Sequence, residues 1–387
     1  MTAQEVSRAA HAATADGRVR LAMGEREAVL HPIWLRNRSQ EAGQVEATNR
    51  QRLFTPLDVA GDLRVLECDV AGDALVTSFS DGHTARLDLD ELAIALGWRA
   101  DPERPPAPEP WTMPIDPFPY VDWNAIGWSV EEADPVAVLD FLTAFYRYGY
   151  VVFRNTPVQE GTVRRLCDRL GYISGNNFGW TFDVRAEPKP TDLAYTPIKL
   201  LAHTDQPYRQ PVPGIQLLHC LRNEAPGGDS TLADGLAGAE ALAATDPAAH
   251  AALVECETEF RYDMVTDTVV TYGRVLEYDG SGRFRQIRLN TKLDAPLPRP
   301  EYDLDAYYRG RRWLSEWLND PAHQVTFRLE PGDAMFVDNY RVLHGRTEYD
   351  ATKGVRHLQG AYIDHDGPDT MYRLAVRRLS VSGESTR

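Results

Sequence analysis

The 387-residue chain is short of several things, and each absence narrows what it can be. Its four cysteines, Cys68, Cys167, Cys220 and Cys256, are widely spaced with no C-x-x-C pair. Zinc-ribbon and thiol-redox readings therefore fall away, and the four read as reduced, buried small hydrophobes. Basic residues are outnumbered: 41 Lys plus Arg against 57 Asp plus Glu give a net charge of −16. That field repels polyanions, so no nucleic-acid partner is expected. Apolar runs such as residues 92–96 fall far short of the roughly 20 residues of a membrane span, so no membrane partner is expected either. The first 17 residues hold no apolar stretch of the secretory kind, which leads to the expectation of a cytoplasmic protein. There is no G-x-S-x-G, no G-x-G-x-x-G after a strand and no P-loop, so hydrolase, dinucleotide and NTPase readings have nothing to rest on.

What is present is globular in proportion, with 43% hydrophobic and 25% charged residues. The length suggests two domains. Residues 101–120 carry Pro102, Pro105, Pro106, Pro108, Pro110, Pro114, Pro117 and Pro119. Such a density of fixed φ and missing N–H groups permits neither helix nor central strand, so the stretch is read as an interdomain linker. Before it, residues 1–100 show short alternating segments at 28–34, 63–68, 74–79 and 83–87, with one helix candidate at 90–96, a small β-rich domain. After it, in residues 121–387, Asp134-Pro135 starts a helix that Gly149 stops. A strand at 150–153 and a helix over 160–170 come next. The remainder reads as short strands at 214–220, 230–233, 284–289, 324–329, 334–336 and 357–363. The expectation is an α+β, mainly β domain around an antiparallel sandwich or barrel.

The chemistry-bearing candidate is a metal site. His203-Thr-Asp205 sets an imidazole and a carboxylate two residues apart, on one face if the segment is extended. Ten histidines among so many acids give about one or two H-x-[D/E] matches by chance, so this pair needs company. Downstream, Pro331-Gly-Asp333 turns into an apolar strand and then Asp338-Asn-Tyr-Arg-Val-Leu-His344-Gly-Arg346, which supplies a second histidine. Two histidines and one carboxylate leave open positions on an octahedral ion, the arrangement of non-haem Fe(II) oxygenases. On the strand that follows, Arg356, Leu358, Gly360 and Tyr362 share one face by parity. A buried arginine there calls for a bidentate carboxylate, which 2-oxoglutarate offers.

With these residues in view, the chain resembles the Fe(II)/2-oxoglutarate dioxygenases of the γ-butyrobetaine and trimethyllysine hydroxylase type, relatives of taurine dioxygenase. The resemblance runs through His31-Pro-Ile-Trp-Leu-Arg36, His203-Thr-Asp205, Gly214-Ile-Gln-Leu-Leu-His-Cys220, Gly227-Gly-Asp-Ser-Thr231, Asp338–Arg346 and Arg356-His-Leu-Gln-Gly-Ala-Tyr362. It implies a double-stranded β-helix (jelly roll) behind the small N-terminal β domain. It also implies iron on His203, Asp205 and His344, with Arg356 on the distal carboxylate of 2-oxoglutarate, Ser230 hydrogen-bonding nearby and Leu218 packing on the co-substrate. The reaction implied consumes O2 and 2-oxoglutarate, hydroxylates an aliphatic C–H of a small zwitterion and releases succinate and CO2. Family members are often homodimers.

Some positions depart from the family pattern. Asn37-Arg-Ser-Gln40 has no thiol where eukaryotic relatives bind structural zinc, so no structural zinc is expected, although His83 sits where the family places a further ligand. For the trimethylammonium box, Phe178, Phe182, Tyr195 and Tyr362 match, and Phe178, Trp180 and Phe182 are expected to alternate on one strand face. Gln206, however, stands where the box has Tyr, and Asp192 and Lys292 stand where asparagines bind the substrate carboxylate; Asn290 is near but two residues off. These departures keep open a related oxygenase acting on a phosphonate or secondary metabolite. A jelly-roll binding module without turnover predicts a broken triad or a missing anchor, and neither is seen. His31, His83, His219 and His357 are read as structural hydrogen bonders, Arg341 and Arg346 as loop-fixing or ion-pairing, and Glu301, Asp303 and Asp305 as a solvated face.

Overall fold

The computed structural model describes residues 10–113, 115–127, 133–186, 196–264 and 267–382. Two compact units divide the chain, Met1–Arg104 and Pro105–Arg387. The first unit holds two three-stranded antiparallel sheets, Ala10–Ala15, Arg18–Met23 and Arg26–Leu30 in one, and Val65–Ala71, Ala74–Phe79 and Thr84–Asp88 in the other. The two-residue Asp16-Gly17 turn has positive φ at both positions, which matches strand twist and fixes the first hairpin's register. The segment read as one strand over 28–34 breaks at His31. That side chain accepts from the Ile33 N–H, Pro32 takes the first helical position, and a short helix Pro32–Arg36 begins.

The proline-rich stretch is less of a free linker than its composition suggests. From Pro105 it belongs to the second unit, where the Trp111 indole donates to the Tyr148 carbonyl at 2.8 Å and the Trp111 backbone N–H to Asp234 at 3.0 Å. Phe118 packs on Tyr150 and Phe327, and Tyr120–Asp122 adds a parallel edge strand to Tyr150–Arg154. Proline's missing donor excludes it from a sheet's middle but not from lying along a surface.

In the second unit a seven-stranded sheet runs in the order Phe182–Val184, Arg356–Ile363, Ile215–Asn223, Ala334–Asp338, Tyr150–Arg154, Tyr120–Asp122, with Ile173–Ser174 also on Arg356–Ile363. A four-stranded sheet runs Leu200–His203, Val342–Arg346, Ser230–Asp234, Val325–Phe327. Alternation assigns the faces. Tyr150, Val152, Leu218, Met335 and Leu358 share a core with Leu232, Val325 and Val342 of the smaller sheet, so the two sheets face each other. Their neighbours Val151, Phe153, Leu217, Phe336 and Ala361 point the other way, onto the helices Pro135–Tyr148, Thr162–Leu170 and Asp366–Ser382. The outer face of the smaller sheet, Ala202, Ala233 and Leu343, packs on Gly235–Thr245, Pro247–Glu255 and Leu304–Leu318.

The first of these helices ends as its sequence requires. Gly149 takes φ 78 and its N–H returns to Phe145, and a Cβ at that position would lie 2.6 Å from Val342 Cγ2. The three helices behind the smaller sheet and the C-terminal one were not legible. Gly235–Thr245 and Pro247–Glu255 are alanine-rich with no polar face to set a period, and Asp303, read as part of a solvated acidic stretch, caps Leu304–Leu318 by accepting from the Ala306 N–H.

Candidate active site

The sheets converge on a cavity of about 470 Å³ lined entirely from the second unit. His203 ends its strand directly opposite His344, in register, and Asp205 sits in the turn just beyond. Asn339 holds that turn: its side-chain oxygen accepts the Asp205 N–H at 2.7 Å, and its amide donates to the carbonyls of Asp205 and Pro213 at 3.1 and 2.9 Å. His203 Nδ1 lies 2.8 Å from the Leu201 carbonyl, so it carries the proton and leaves Nε2 facing Asp205 Oδ1 at 3.5 Å. His344 Nε2 is 3.6 Å from the same oxygen. The other carboxylate oxygen is engaged by the Tyr362 hydroxyl at 2.6 Å and by the Gln216 amide, partners that fix its orientation.

These three donors lie within 4.8 Å of one another, a set one cation can share. Burial alone would raise the Asp205 pKa, but His344, His203 and the Tyr362 hydroxyl outweigh it and hold the carboxyl well below the usual carboxylate range. Burial pushes the His344 imidazole down to about 4 against the pull of Asp205. An ionised carboxylate beside two imidazoles, with His203 Nε2 and His344 Nε2 both turned to it, is a donor set a metal ion takes up, and the chemistry of an iron site fits it.

Arg356, only 5% exposed, lines the same cavity. Its Nε donates to the Gly228 carbonyl at 3.2 Å, and no carboxylate pairs with it among the described residues. Burial, and then the neighbouring Arg346 guanidinium, bring its pKa down to about 10. A buried unpaired guanidinium calls for an anion, so a dicarboxylate co-substrate fits this end. Gly228 makes room for it: a Cβ there would sit 2.9 Å from Arg356 Cδ and Nε. Leu218 and Ser230 line the same cavity. Arg346 ties down the incoming loop by donating to the Thr196 and Ile198 carbonyls at 2.6 and 2.9 Å.

A chain of rings forms the third wall. Phe182 stacks on Tyr362 at 5.3 Å, Phe178 lies 6.4 Å from Phe182 and 6.2 Å from Tyr262, and Tyr262 stacks on Tyr208 at 4.8 Å. Tyr208 and Tyr262 were missed. Tyr208 follows Asp205 closely enough to have been found, whereas Tyr262 arrives from the distant hairpin Thr258–Asp263/Thr268–Gly273 and carries no local signal. The expectation of one alternating strand face fails at Trp180: the strand is only Phe182–Val184, Asn176 and Gly179 bridge in a turn before it, and Trp180 is 58% exposed.

Gln206 lines the cavity with φ 48, and neither its Oε1 nor its Nε2 has a hydrogen-bond partner among the described residues. Asn290, Thr291 and an exposed Lys292 line it as well. Asp192 and Tyr195 lie outside the described residues. Gln216 and Asn339 were also missed, because the Asp205 carboxylate that Gln216 bonds and the Asp205 backbone that Asn339 bonds are brought to them only by folding.

The residues read as structural divide. His31 caps a helix, His83 Nε2 lies 2.9 Å from Ser39 Oγ, and His357 lies 2.7 Å from Asp183. His219 does not follow: both its ring nitrogens are buried without a hydrogen-bond partner among the described residues. Arg341 forms a buried pair with Asp234 at 2.7 Å and also donates to the Arg147 and Glu109 carbonyls.

Residues 116–362 match the taurine catabolism dioxygenase TauD, TfdA family. A gamma-butyrobetaine dioxygenase of Pseudomonas sp. (strain AK-1) is 35% identical over 358 residues, 91% of this chain and 90% of its own. The Homo sapiens gamma-butyrobetaine dioxygenase is 32% identical over 92% of this chain and 93% of its own. A mitochondrial trimethyllysine dioxygenase of Gallus gallus is 30% identical over 86% and 80%.

Proposed function

Because the chain belongs to the taurine catabolism dioxygenase TauD, TfdA family, we propose that it is an Fe(II)- and 2-oxoglutarate-dependent dioxygenase that hydroxylates an aliphatic C–H of a small zwitterion related to γ-butyrobetaine. The family's fold is of the jelly-roll class, and in our reading the facing sheets are its double-stranded β-helix, with residues 1–100 as a separate β-rich domain. One observation carries the functional reading. A two-histidine, one-carboxylate set and a buried guanidinium without a carboxylate partner among the described residues line one cavity.

In this reading His203, Asp205 and His344 hold the iron. When bound, iron supplies the redox chemistry by which O2 oxidises 2-oxoglutarate to succinate and CO2 and a C–H bond is hydroxylated. The chain's own contribution is placement. Arg356 fixes the distal carboxylate of 2-oxoglutarate through two N–H groups, Ser230 adds a hydroxyl and Leu218 a van der Waals floor. Tyr362 and Gln216 keep Asp205 turned toward the two imidazoles by occupying its other oxygen. Phe178, Phe182, Tyr208, Tyr262 and Tyr362 present ring faces and edges to a substrate cation, while Lys292 and Asn290 at the mouth suit its anionic end. Clamping both ends leaves the middle of the substrate facing the metal ligands. Asp192 and Tyr195 belong to the same proposed pocket. The exposed Lys292 also suits a phosphonate head group, the second reading.

No described helix is long and apolar enough to cross a membrane. Four free thiols suit the reducing cytoplasm, where we place the protein as a homodimer, a state that analytical ultracentrifugation reads directly. The test of function is anaerobic reconstitution with Fe(II) and 2-oxoglutarate. A weak visible charge-transfer band is expected in the wild type and not in His344→Ala, followed by succinate release under O2 with γ-butyrobetaine, trimethyllysine or a trimethylammonio-phosphonate. Iron binding without the band would refute the reading.

A further inference from the structure

Resting on the hydroxylase reading above, we infer that Gln206 reads the methylation state of the substrate's cationic end, and that the natural substrate carries an ammonium with at least one N–H, a primary to tertiary amine, in place of a quaternary group. Gln206 is 5% exposed and lines the cavity, and both polar atoms of its side-chain amide are buried without a hydrogen-bond partner among the described residues. Buried amides in folded proteins are nearly always satisfied, so an orphan facing a cavity marks a partner that arrives with the ligand. Its backbone points to the same conclusion. The φ of 48 lies in the left-handed region, uncommon for glutamine and further disfavoured ahead of a proline such as Pro207. Strain of this kind persists where the surrounding structure holds a side chain to a task.

The rings that line the same cavity do not do this task. Phe178, Phe182, Tyr208, Tyr262 and Tyr362 attract any ammonium through the negative ring face, whatever number of methyl groups it bears. The Tyr362 hydroxyl is already given to Asp205. A neutral amide oxygen, by contrast, distinguishes the members of a methylated series. It accepts a charge-assisted bond from an ammonium N–H, while a quaternary nitrogen offers only C–H contacts, which are weaker. A trimethylammonium group seated here would leave Oε1 buried and unmet.

The experiment is calorimetric titration of 4-aminobutyrate carrying zero, one, two or three N-methyl groups into anaerobic protein, with and without Fe(II) and 2-oxoglutarate. Wild type is compared with Gln206→Met, which keeps length and removes the acceptor, and with Gln206→Glu, which keeps an acceptor. The wild type is expected to bind the dimethyl compound at least roughly tenfold tighter than the trimethyl one, the size of one hydrogen bond to a charged group. Gln206→Met loses that preference and Gln206→Glu retains it. Equal or tighter binding of the trimethyl compound by wild type, persistence of the preference in Gln206→Met, or no binding of any member would overturn the inference. Should Gln206→Met not fold, the wild-type order and its retention in Gln206→Glu still decide. Failure of the hydroxylase reading looks different: the 2-oxoglutarate band is missing before any amine is added.

Discussion

Arg356→Met removes a buried cation and puts a flexible apolar side chain of similar reach in its place. The guanidinium is held at a pKa of about 10 by burial and by Arg346, against an ordinary arginine value of 12.5. At about 1.4 kcal/mol per pH unit, that difference corresponds to a burial penalty of order 3 kcal/mol for the charged guanidinium. The consequence is an asymmetry between stability and binding. Without ligand, Arg356→Met is expected to unfold at the same urea concentration as wild type or a higher one, because it deletes an unpaired buried charge and no ion pair. Its affinity for 2-oxoglutarate, titrated calorimetrically into Fe(II)-loaded protein without O2, should fall roughly a hundredfold, the equivalent of about 3 kcal/mol. Arg356→Lys keeps the charge but not the planar fork and should fall between the two. The reasoning fails if Arg356→Met binds 2-oxoglutarate like wild type, or if it is less stable by several kcal/mol in the absence of ligand.

Arg341→Ala leaves the fully buried Asp234 carboxylate without its 2.7 Å partner and should cost about 3–5 kcal/mol in urea unfolding. The double variant with Asp234→Ala should lose less than the two single losses summed. His219, buried with neither ring nitrogen bonded, is held at about 4 by burial and then by Arg165. Its folded pKa is below the unfolded value near 6.5, so the unfolded chain binds the extra proton and wild-type stability falls as pH drops from about 6.5 to about 4. His219→Leu should abolish that loss, gaining about 2 kcal/mol on wild type at pH 5 relative to pH 8, and parallel losses in the two proteins would contradict it. Gly360→Ala would bring a Cβ within 2.4 Å of two Phe182 ring atoms. A stability cost of about 1–3 kcal/mol is expected, with substrate binding weakened and the 2-oxoglutarate band intact; loss of the band instead would mean that Phe182 serves the co-substrate end.

Much of the fold was legible where the deciding interactions are short in sequence. Asp134, Pro135 and Gly149 bound their helix because caps act within one turn, and Arg356, Leu358 and Tyr362 reach one cavity because strand side chains alternate with period two. The metal-site candidates were legible as motifs, but the carboxylate's keepers were not. Gln216, Asn339 and Tyr262 meet the site only after distant strands pair, and nothing local marks them. Local reading also failed where a neighbour decides the outcome. The proline-rich stretch reads as a linker by composition, yet Trp111 within it bonds to Tyr148 and Asp234, and Trp180 alternates with its flanking phenylalanines in sequence although a turn sends it to solvent. By itself, then, the sequence determined which residue types could bind iron, anchor a dicarboxylate and cradle a cation, since those are properties of side chains and their spacing. Only the tertiary structure decided which of them are left unsatisfied. That Arg356 lacks a carboxylate and that the Gln206 side-chain amide lacks a hydrogen bond among the described residues depends on what every other strand and loop places beside them, and burial makes unmet polar groups costly enough to call for a ligand.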